Sequence, residues 1–212
     1  SDAWTKVRGI YLSPKTFPKF ILDLSFPAWI TNCSVSLFNS IILGKSEIKD
    51  DAVIGPNTIL IDSVVHSGAQ IINSLITNSV VGERTTVGPF AHLRDNTVIK
   101  NDCRIGNFVE VKKSKIDDKS KVSHLAYIGD SEIGVNCNFG CGSITVNYDG
   151  INKHKTTIGD NVFIGCNTNL VAPVVIHNNS FIACGSTITA DVPENTLAIA
   201  RSRQLNKIDY YK

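Results

Sequence analysis

The chain has 212 residues, with 21 basic against 19 acidic side chains and a formal net charge of +2. That near balance gives no general electrostatic pull toward nucleic acid or an anionic membrane. No apolar run approaches a membrane span, and the opening residues SDAWTKVR lack the apolar core of a signal peptide. The six cysteines include no C-x-x-C pair, so reduced thiols and a cytoplasmic location are the expectation. A start at Ser1 and the lack of methionine read as a processed product or a fragment.

In chain order, residues 1–30 hold three prolines and both tryptophans and read as an irregular lead-in. A loose repeat then begins near Leu37 and passes through Ile42, Ile48, Ile54, Leu60, Val65, Ile71 and Ile76. From Val81 the repeat is firm, with aliphatic marks six residues apart at Val87, Leu93, Ile99, Ile105 and Val111, and glycine often following the mark. The pattern runs on to Ile188 with two five-residue steps and one inserted loop, roughly residues 147–157 (NYDGINKHKTT). A hexapeptide period is the signature of a parallel β-helix, in which three hexapeptides close one triangular coil and each coil buries its marks against its neighbours. Neither an amphipathic helix nor a surface strand repeats at six. The division expected is a lead-in over 1–30, a β-helix over 31–192 with the inserted loop, and a polar, basic tail over 193–212.

Three marks per coil place residues in vertical columns whose neighbours touch, because stacked strands lie about 4.8 Å apart. One column of marks is Val87, Ile105, Val122, Phe139, Ile164 and Ile182; two positions on, a second column is Pro89, Asn107, His124, Cys141, Cys166 and Cys184. A histidine and three thiols should therefore line one corner near the inserted loop, and loops that leave a solenoid often carry function. A further column, Leu93, Val111 and Ile128, is followed at its first two members by Arg94 and Lys112. Two cations one coil apart repel unless an anion lies between them. They read either as a phosphate clamp, combining a guanidinium fork with an ammonium, or as local pairs with Asp95 and Glu110. The near-neutral pKa of histidine suits His124 to general-base work. His66, His92, His124, His154 and His177 lack the H-x-x-x-x-H pair of the zinc-dependent β-helix carbonic anhydrases, so no metal is expected.

The ordered set GPFAHLR (88–94), GNFVEVKK (106–113), HLAYIGD (124–130), NYDG (147–150), NKHKT (152–156), LVAPV (170–174) and AIAR (198–201) resembles the acetyltransferase domain of the bacterial bifunctional N-acetylglucosamine-1-phosphate uridyltransferase/glucosamine-1-phosphate acetyltransferase family. GIYLSPKTF (9–17) resembles the segment that opens that domain. The resemblance implies a left-handed β-helix, a hand that the repeat itself does not give, and a homotrimer with active sites between subunits. It implies acetyl transfer from acetyl-CoA to the amine of glucosamine 1-phosphate. By motif, His124 becomes the general base. Arg94, Lys112, Tyr127, Asn138 and Lys153 become contacts to the sugar phosphate, and Asn147, Tyr148, Cys141, Cys166, Cys184 and Arg201 contacts to acetyl-CoA.

Two departures stand out. The family usually has small Ala or Ser where this chain has Cys141, Cys166 and Cys184, and the uridyltransferase half with its Gly-rich motif is absent from these residues. Direct attack of the amine on the thioester is the expected route. An acyl-cysteine on Cys141, a different amino sugar or acyl donor, and a non-catalytic trimerisation scaffold are the rivals.

Overall fold

The computed structural model describes residues 39–210 and, before them, the backbone of the strands Thr5–Val7, Ile10–Leu12, Ile21–Leu22 and Trp29–Ile30. The repeat mark at Leu37, Cys33 and the rest of the lead-in lie outside the described residues. Among the described residues every regular element is a β-strand, most only two or three residues long, and no helix is long and apolar enough to cross a membrane. Apart from Thr5–Val7 and Ile10–Leu12, which pair antiparallel with each other, the strands form a parallel β-solenoid with three faces.

The first face stacks Val53–Ile54, Gln70–Ile71, Thr86–Val87, Asn138–Phe139, Phe163–Ile164 and Phe181–Ile182 in parallel register. The second stacks Ile59–Ile61, Leu75–Thr77 and His92–Arg94 and, higher up, Ile144–Val146 and Asn169–Val171. The third runs from Glu47–Ile48 through Val98–Ile99 and Ser131–Ile133 to Val174–Ile176. Two nine-residue strands, Arg104–Lys112 and Lys121–Gly129, turn the corner between the first two faces and join them into one ladder.

The hexapeptide marks point inward as expected. Ile48, Ile54, Leu93, Ile105, Ile128, Ile164 and Ile182 are buried, and each such side chain contributes about 1.5–3 kcal/mol by leaving water. Two residues before many marks sits a small polar group that also points inward at a corner. Thr85 Oγ1 donates to Lys100 O at 2.6 Å and Ser120 Oγ to Gly134 O at 2.7 Å. Cys103 and Cys137 take the same position, with Sγ 3.1 Å from Asp117 O and 3.0 Å from Gly159 O. Their burial raises both thiol pKa values, that of Cys103 to about 11.

Three boundaries differ from the sequence expectation. Ile21–Leu22 pairs with Ile41–Leu43, and Trp29–Ile30 with Glu47–Ile48, so the parallel ladder already begins within the lead-in. Leu197–Ala198 pairs with Phe181–Ile182, extending the ladder past residue 193. Thr156 and Thr157 belong to the strand Thr156–Ile158, paired with Ser131–Ile133, so the loop leaving the solenoid covers 147–155. Spacing alone misses these strands because two residues in register suffice to continue a ladder.

Candidate active site

On the second face the chain alternates inward and outward, which exposes every second side chain. Arg94, Lys112 and Gly129 share one outward register, and His92, Glu110 and Tyr127 the neighbouring one. Arg94 is held by local carboxylates: Nη2 lies 2.6 Å from Glu110 Oε1 and Nη1 3.1 Å from Asp95 Oδ2. The Glu110 hydrogen bond raises its already high pKa. Lys112 Nζ stands 3.6 Å from Asp95 Oδ2. Lys153 stands beside Lys112, and this proximity keeps the Lys112 ammonium above its usual range and pushes that of Lys153 below it. Two ammonium groups brought together in this way form a place where an anion relieves repulsion.

The loop 147–155 brings Lys153 there. It is a short hairpin closed by the antiparallel bridge Tyr148↔Lys153 and by His154 N donating to Asn147 O at 2.7 Å. Asp149 ties its tip, accepting from the backbone N–H of Ile151 at 2.7 Å and of Asn152 at 2.6 Å, with Oδ2 2.7 Å from His154 Nε2. These donors hold the Asp149 carboxyl at about 2. At the loop base Asn147 Nδ2 donates to Asp130 Oδ2 at 2.5 Å and to Tyr127 Oη at 3.4 Å. Gly129 is fitted to this arrangement, because a Cβ there would collide with the Tyr127 hydroxyl and lie 2.7 Å from Asn147 Nδ2. Its N–H donates to the buried Thr145 Oγ1 at 2.7 Å. Tyr148 is exposed and donates its hydroxyl to Gly150 O at 2.6 Å.

His124 stands elsewhere, at the corner between the first and second faces. It is exposed, in register with Asn107, and makes no side-chain hydrogen bond or ion pair among the described residues. The column of thiols follows it. Gly142 N donates to Leu125 O at 3.0 Å, Asn167 N to Cys141 O at 2.8 Å and Gly185 N to Cys166 O at 2.8 Å. Cys141 is partly exposed, and Cys166 and Cys184 are exposed. Arg201 reaches the top of this corner, its Cδ 3.7 Å from where a Cβ on Gly185 would sit. Beside His124, Phe90, Phe108 and Leu125 are exposed at 57%, 57% and 59%. All three adopt the left-handed conformation, with φ of 60°, 55° and 44°, and the two phenyl rings stack at 5.3 Å. A bulky residue in that region is uncommon and marks stored strain.

The residues singled out from sequence thus fall into two groups. Arg94, Lys112, Tyr127, Asn147 and Lys153 gather at the far end of the second face, while His124, Cys141, Cys166, Cys184 and Arg201 share the other corner. Asn138 lies on the first face, between Lys121 and Phe163 in the ladder, and is not brought beside Arg94. Four residues separate His124 from Gly129, the register partner of Lys112, a backbone path of roughly 15 Å. Asp130, Thr145 and Gly129 belong to the first group and were not singled out in the sequence. Only the glycine after the mark hinted at one of them.

The bacterial transferase hexapeptide family (six repeats) matches residues 78–113 and 155–190. A bifunctional protein GlmU from Clostridium botulinum (strain Kyoto / Type A2) is 55% identical over 178 residues, which are 84% of this chain and 39% of that protein. Another from Caldanaerobacter subterraneus subsp. tengcongensis is 60% identical over 174 residues, 82% of this chain and 38% of that protein. This chain is a hexapeptide-repeat relative of bifunctional GlmU. It spans about two fifths of the length of those GlmU relatives. Among solved structures, the UDP-N-acetylglucosamine acyltransferase from Campylobacter jejuni aligns at 17% identity and a TM-score of 0.49, over 85% of this chain and 71% of that one. The two stretches that fit the generic repeat flank residues 114–154. His124, Tyr127, Asn138, Cys141, Asn147, Tyr148 and Lys153 all lie in that intervening stretch.

Proposed function

We propose that this chain transfers the acetyl group of acetyl-CoA to the amine of glucosamine 1-phosphate. The product, N-acetylglucosamine 1-phosphate, would feed UDP-N-acetylglucosamine and cell-envelope synthesis in the cytoplasm. The observation that carries the reading is the convergence of Arg94, Lys112 and Lys153, three cations from three separate segments, within a chain this similar to bifunctional GlmU. A dianionic sugar phosphate seated there would relieve the repulsion between Lys112 and Lys153 and use the donors of Arg94 left over from Glu110. Tyr127, with Asn147 behind it, and Asn138 would contact the sugar.

The amine lone pair attacks the thioester carbonyl, the tetrahedral intermediate collapses, and the CoA thiolate leaves. His124, exposed and without an internal partner, takes the proton released from the attacking nitrogen. Cys141, Cys166, Cys184 and Arg201 line the acetyl-CoA side at the His124 corner, Tyr148 meets it from the hairpin of the neighbouring subunit, and the reaction needs neither an acyl-cysteine nor a metal.

Within one subunit His124 stands at the corner between the first two faces, and the cations stand beside the hairpin at the far end of the second face. This favours a site completed by two subunits, with the base from one and the cations from its neighbour. The exposed ridge of Phe90, Phe108 and Leu125 beside His124 is the kind of apolar surface a neighbouring subunit covers. A homotrimer follows as the proposed assembly. Uridylyl transfer is not expected of these residues.

The test is thiol release from acetyl-CoA with glucosamine 1-phosphate, comparing the unaltered chain with His124→Ala. We expect turnover that falls by roughly 10²–10⁴-fold in the variant. Equal rates would remove His124 from the mechanism. No turnover by the unaltered chain, together with turnover on another amino sugar, would replace the substrate.

A further inference from the structure

A groove of about 560 Å³ opens on the third face, on the other side of the hairpin from Arg94, and is lined by Lys100, Lys113, Lys115, Lys153, His154 and Lys155. Its acidic lining residues are Asp130 and Glu132, which leaves the five lysines with a clear positive excess. Lys155 pairs with Glu132 at 2.7 Å, Lys113 with Asp130 at 3.7 Å, and Lys115 with Asp117 at 2.9 Å. The lysine ends of these pairs are exposed, and Asp130 is already occupied by Asn147, so the pairs are weak and readily exchanged for a better anion. Lys100 has no carboxylate partner among the described residues, and the neighbour of Lys153 is another cation, Lys112. The volume lies within the range of small-molecule sites and exceeds what one phosphate fills.

We infer that this groove is a second anion site, built for a small molecule carrying two linked phosphates, and that it shares Lys153 with the sugar-phosphate site. The binding part of this inference stands on the groove alone. The coupling part rests on the reading of Lys112 and Lys153 given under the proposed function. A diphosphate spanning Lys100 and Lys115 on the face and Lys153 on the hairpin neutralises Lys100 and Lys153, unpaired among the described residues, and competes with Asp117 for Lys115. It also draws Lys153 off Lys112, so it weakens the hold on the sugar phosphate.

Isothermal titration of the full chain with inorganic pyrophosphate tests the site, with ADP in parallel to separate a nucleotide from a free diphosphate. Pyrophosphate should bind the unaltered chain. Lys100→Gln/Lys115→Gln should bind it about tenfold more weakly, whereas Lys112→Ala should bind it nearly as well. Tighter binding of ADP than pyrophosphate, with the same loss in the double variant, assigns the site to a nucleotide; the reverse order assigns it to the inorganic anion. No binding, or binding unchanged in the double variant, overturns the site. Binding lost in Lys112→Ala but kept in the double variant also overturns it, since the anion then sits in the sugar-phosphate site.

For the coupling, pyrophosphate should raise the KM for glucosamine 1-phosphate several-fold in the unaltered chain and leave it unchanged in Lys100→Gln/Lys115→Gln, whose basal turnover stays intact. Equal inhibition of both proteins overturns the coupling. An inactive chain that still binds pyrophosphate with the expected variant pattern overturns the acetyltransferase reading and leaves the groove standing.

Discussion

Two corners of the prism solve the same backbone problem with different residues. Where the third face turns into the first, the left-handed position is held from coil to coil by polar or flexible residues: Asp102, Lys119, Asn136, Asn161, Asn179 and Asn195. Their side chains tie the coils together, with Asn136 Nδ2 donating to Asn161 Oδ1 at 3.0 Å and Arg84 Nε to Asp102 Oδ1 at 2.7 Å. Asn and Asp tolerate this conformation well. Where the first face turns into the second, the corner begins the same way, with Asn57 donating to Asn73 at 2.9 Å. It then changes to Phe90, Phe108 and Leu125, and afterwards to Gly142, Asn167 and Gly185. The middle section gives up conformational ease and solvation together, and His124 stands beside it. One corner is built for stability, whereas the other departs from those rules next to the proposed catalytic base.

The largest expected contrast is kinetic. His124→Ala should lose turnover by roughly 10²–10⁴-fold with little change in melting temperature. Asn161→Ala, on the other corner, should do the reverse: activity per folded molecule preserved and stability lowered by about 1 kcal/mol through the broken side-chain ladder. Thermal melts beside the thiol-release assay distinguish them. A stability loss in His124→Ala as large as its activity loss would merge the two corners into one structural class.

The next contrast exchanges the corner residues themselves. Asn161→Leu places a branched side chain in the left-handed region and should cost about 1–2 kcal/mol. Leu125→Asn should relieve that strain and remove exposed apolar surface, so the isolated subunit gains up to about 1 kcal/mol. The proposed trimer should weaken in the same variant, as read by sedimentation. Leu125→Asn that destabilises the subunit and leaves assembly untouched would mean that the leucine is packed rather than strained.

Cysteine sorts the same two corners by chemistry. Cys103 and Cys137 point inward at the polar corner, where burial raises their thiol pKa values, that of Cys103 to about 11. A raised pKa keeps these thiols protonated through mildly alkaline pH, and the thiolate is the reactive form. Cys141, Cys166 and Cys184 face outward at the other corner. A maleimide at pH 8 should therefore label the outward thiols first and spare Cys103 and Cys137 until the chain unfolds, as peptide mass mapping would report. Early labelling at Cys137 would indicate that the polar corner opens. Cys141→Ala should retain turnover, since direct transfer needs no acyl-enzyme.

Much of this was legible in advance because a hexapeptide period leaves little choice. A mark every six residues fixes which side chain faces inward, and counting three marks per coil placed Arg94 over Lys112 and aligned Cys141, Cys166 and Cys184, as the ladder hydrogen bonds have them. The division of cysteines into inward and outward was also implicit in that count, since Cys103 sits two residues before a mark and Cys141 two after. Other features depend on contacts that no period encodes. Arg94 divides itself between Glu110 and Asp95, the local alternative that the sequence left open beside the clamp. His124 and the cations lie at opposite ends of one face, which only a path traced along the strand reveals. Nothing in NYDGINKHKTT indicates which way its lysines turn, because a hairpin outside the repeat answers to its own hydrogen bonds.

The hairpin supplies the smallest and most local prediction. Three donors around Asp149, led by Asn152 N and then His154 and Ile151 N, hold its carboxyl at about 2, below the ordinary 3.8. A carboxyl with a lowered folded-state pKa contributes stability above its unfolded value and loses it as pH falls through the folded one. The loop should therefore stay closed at pH 5 and loosen between about pH 4 and pH 2. Faster amide exchange at Ile151 and Asn152 in that window, with the amide of Val122 in the core ladder still protected, would show a local opening rather than global acid unfolding. Asp149→Asn keeps one acceptor but not the charge, so it should loosen the hairpin at neutral pH and blunt the acid step. Lys153 rides on this loop, so the same variant should raise the KM for glucosamine 1-phosphate and spare that for acetyl-CoA. Equal changes in both would mean that the hairpin serves the whole cleft rather than positioning Lys153.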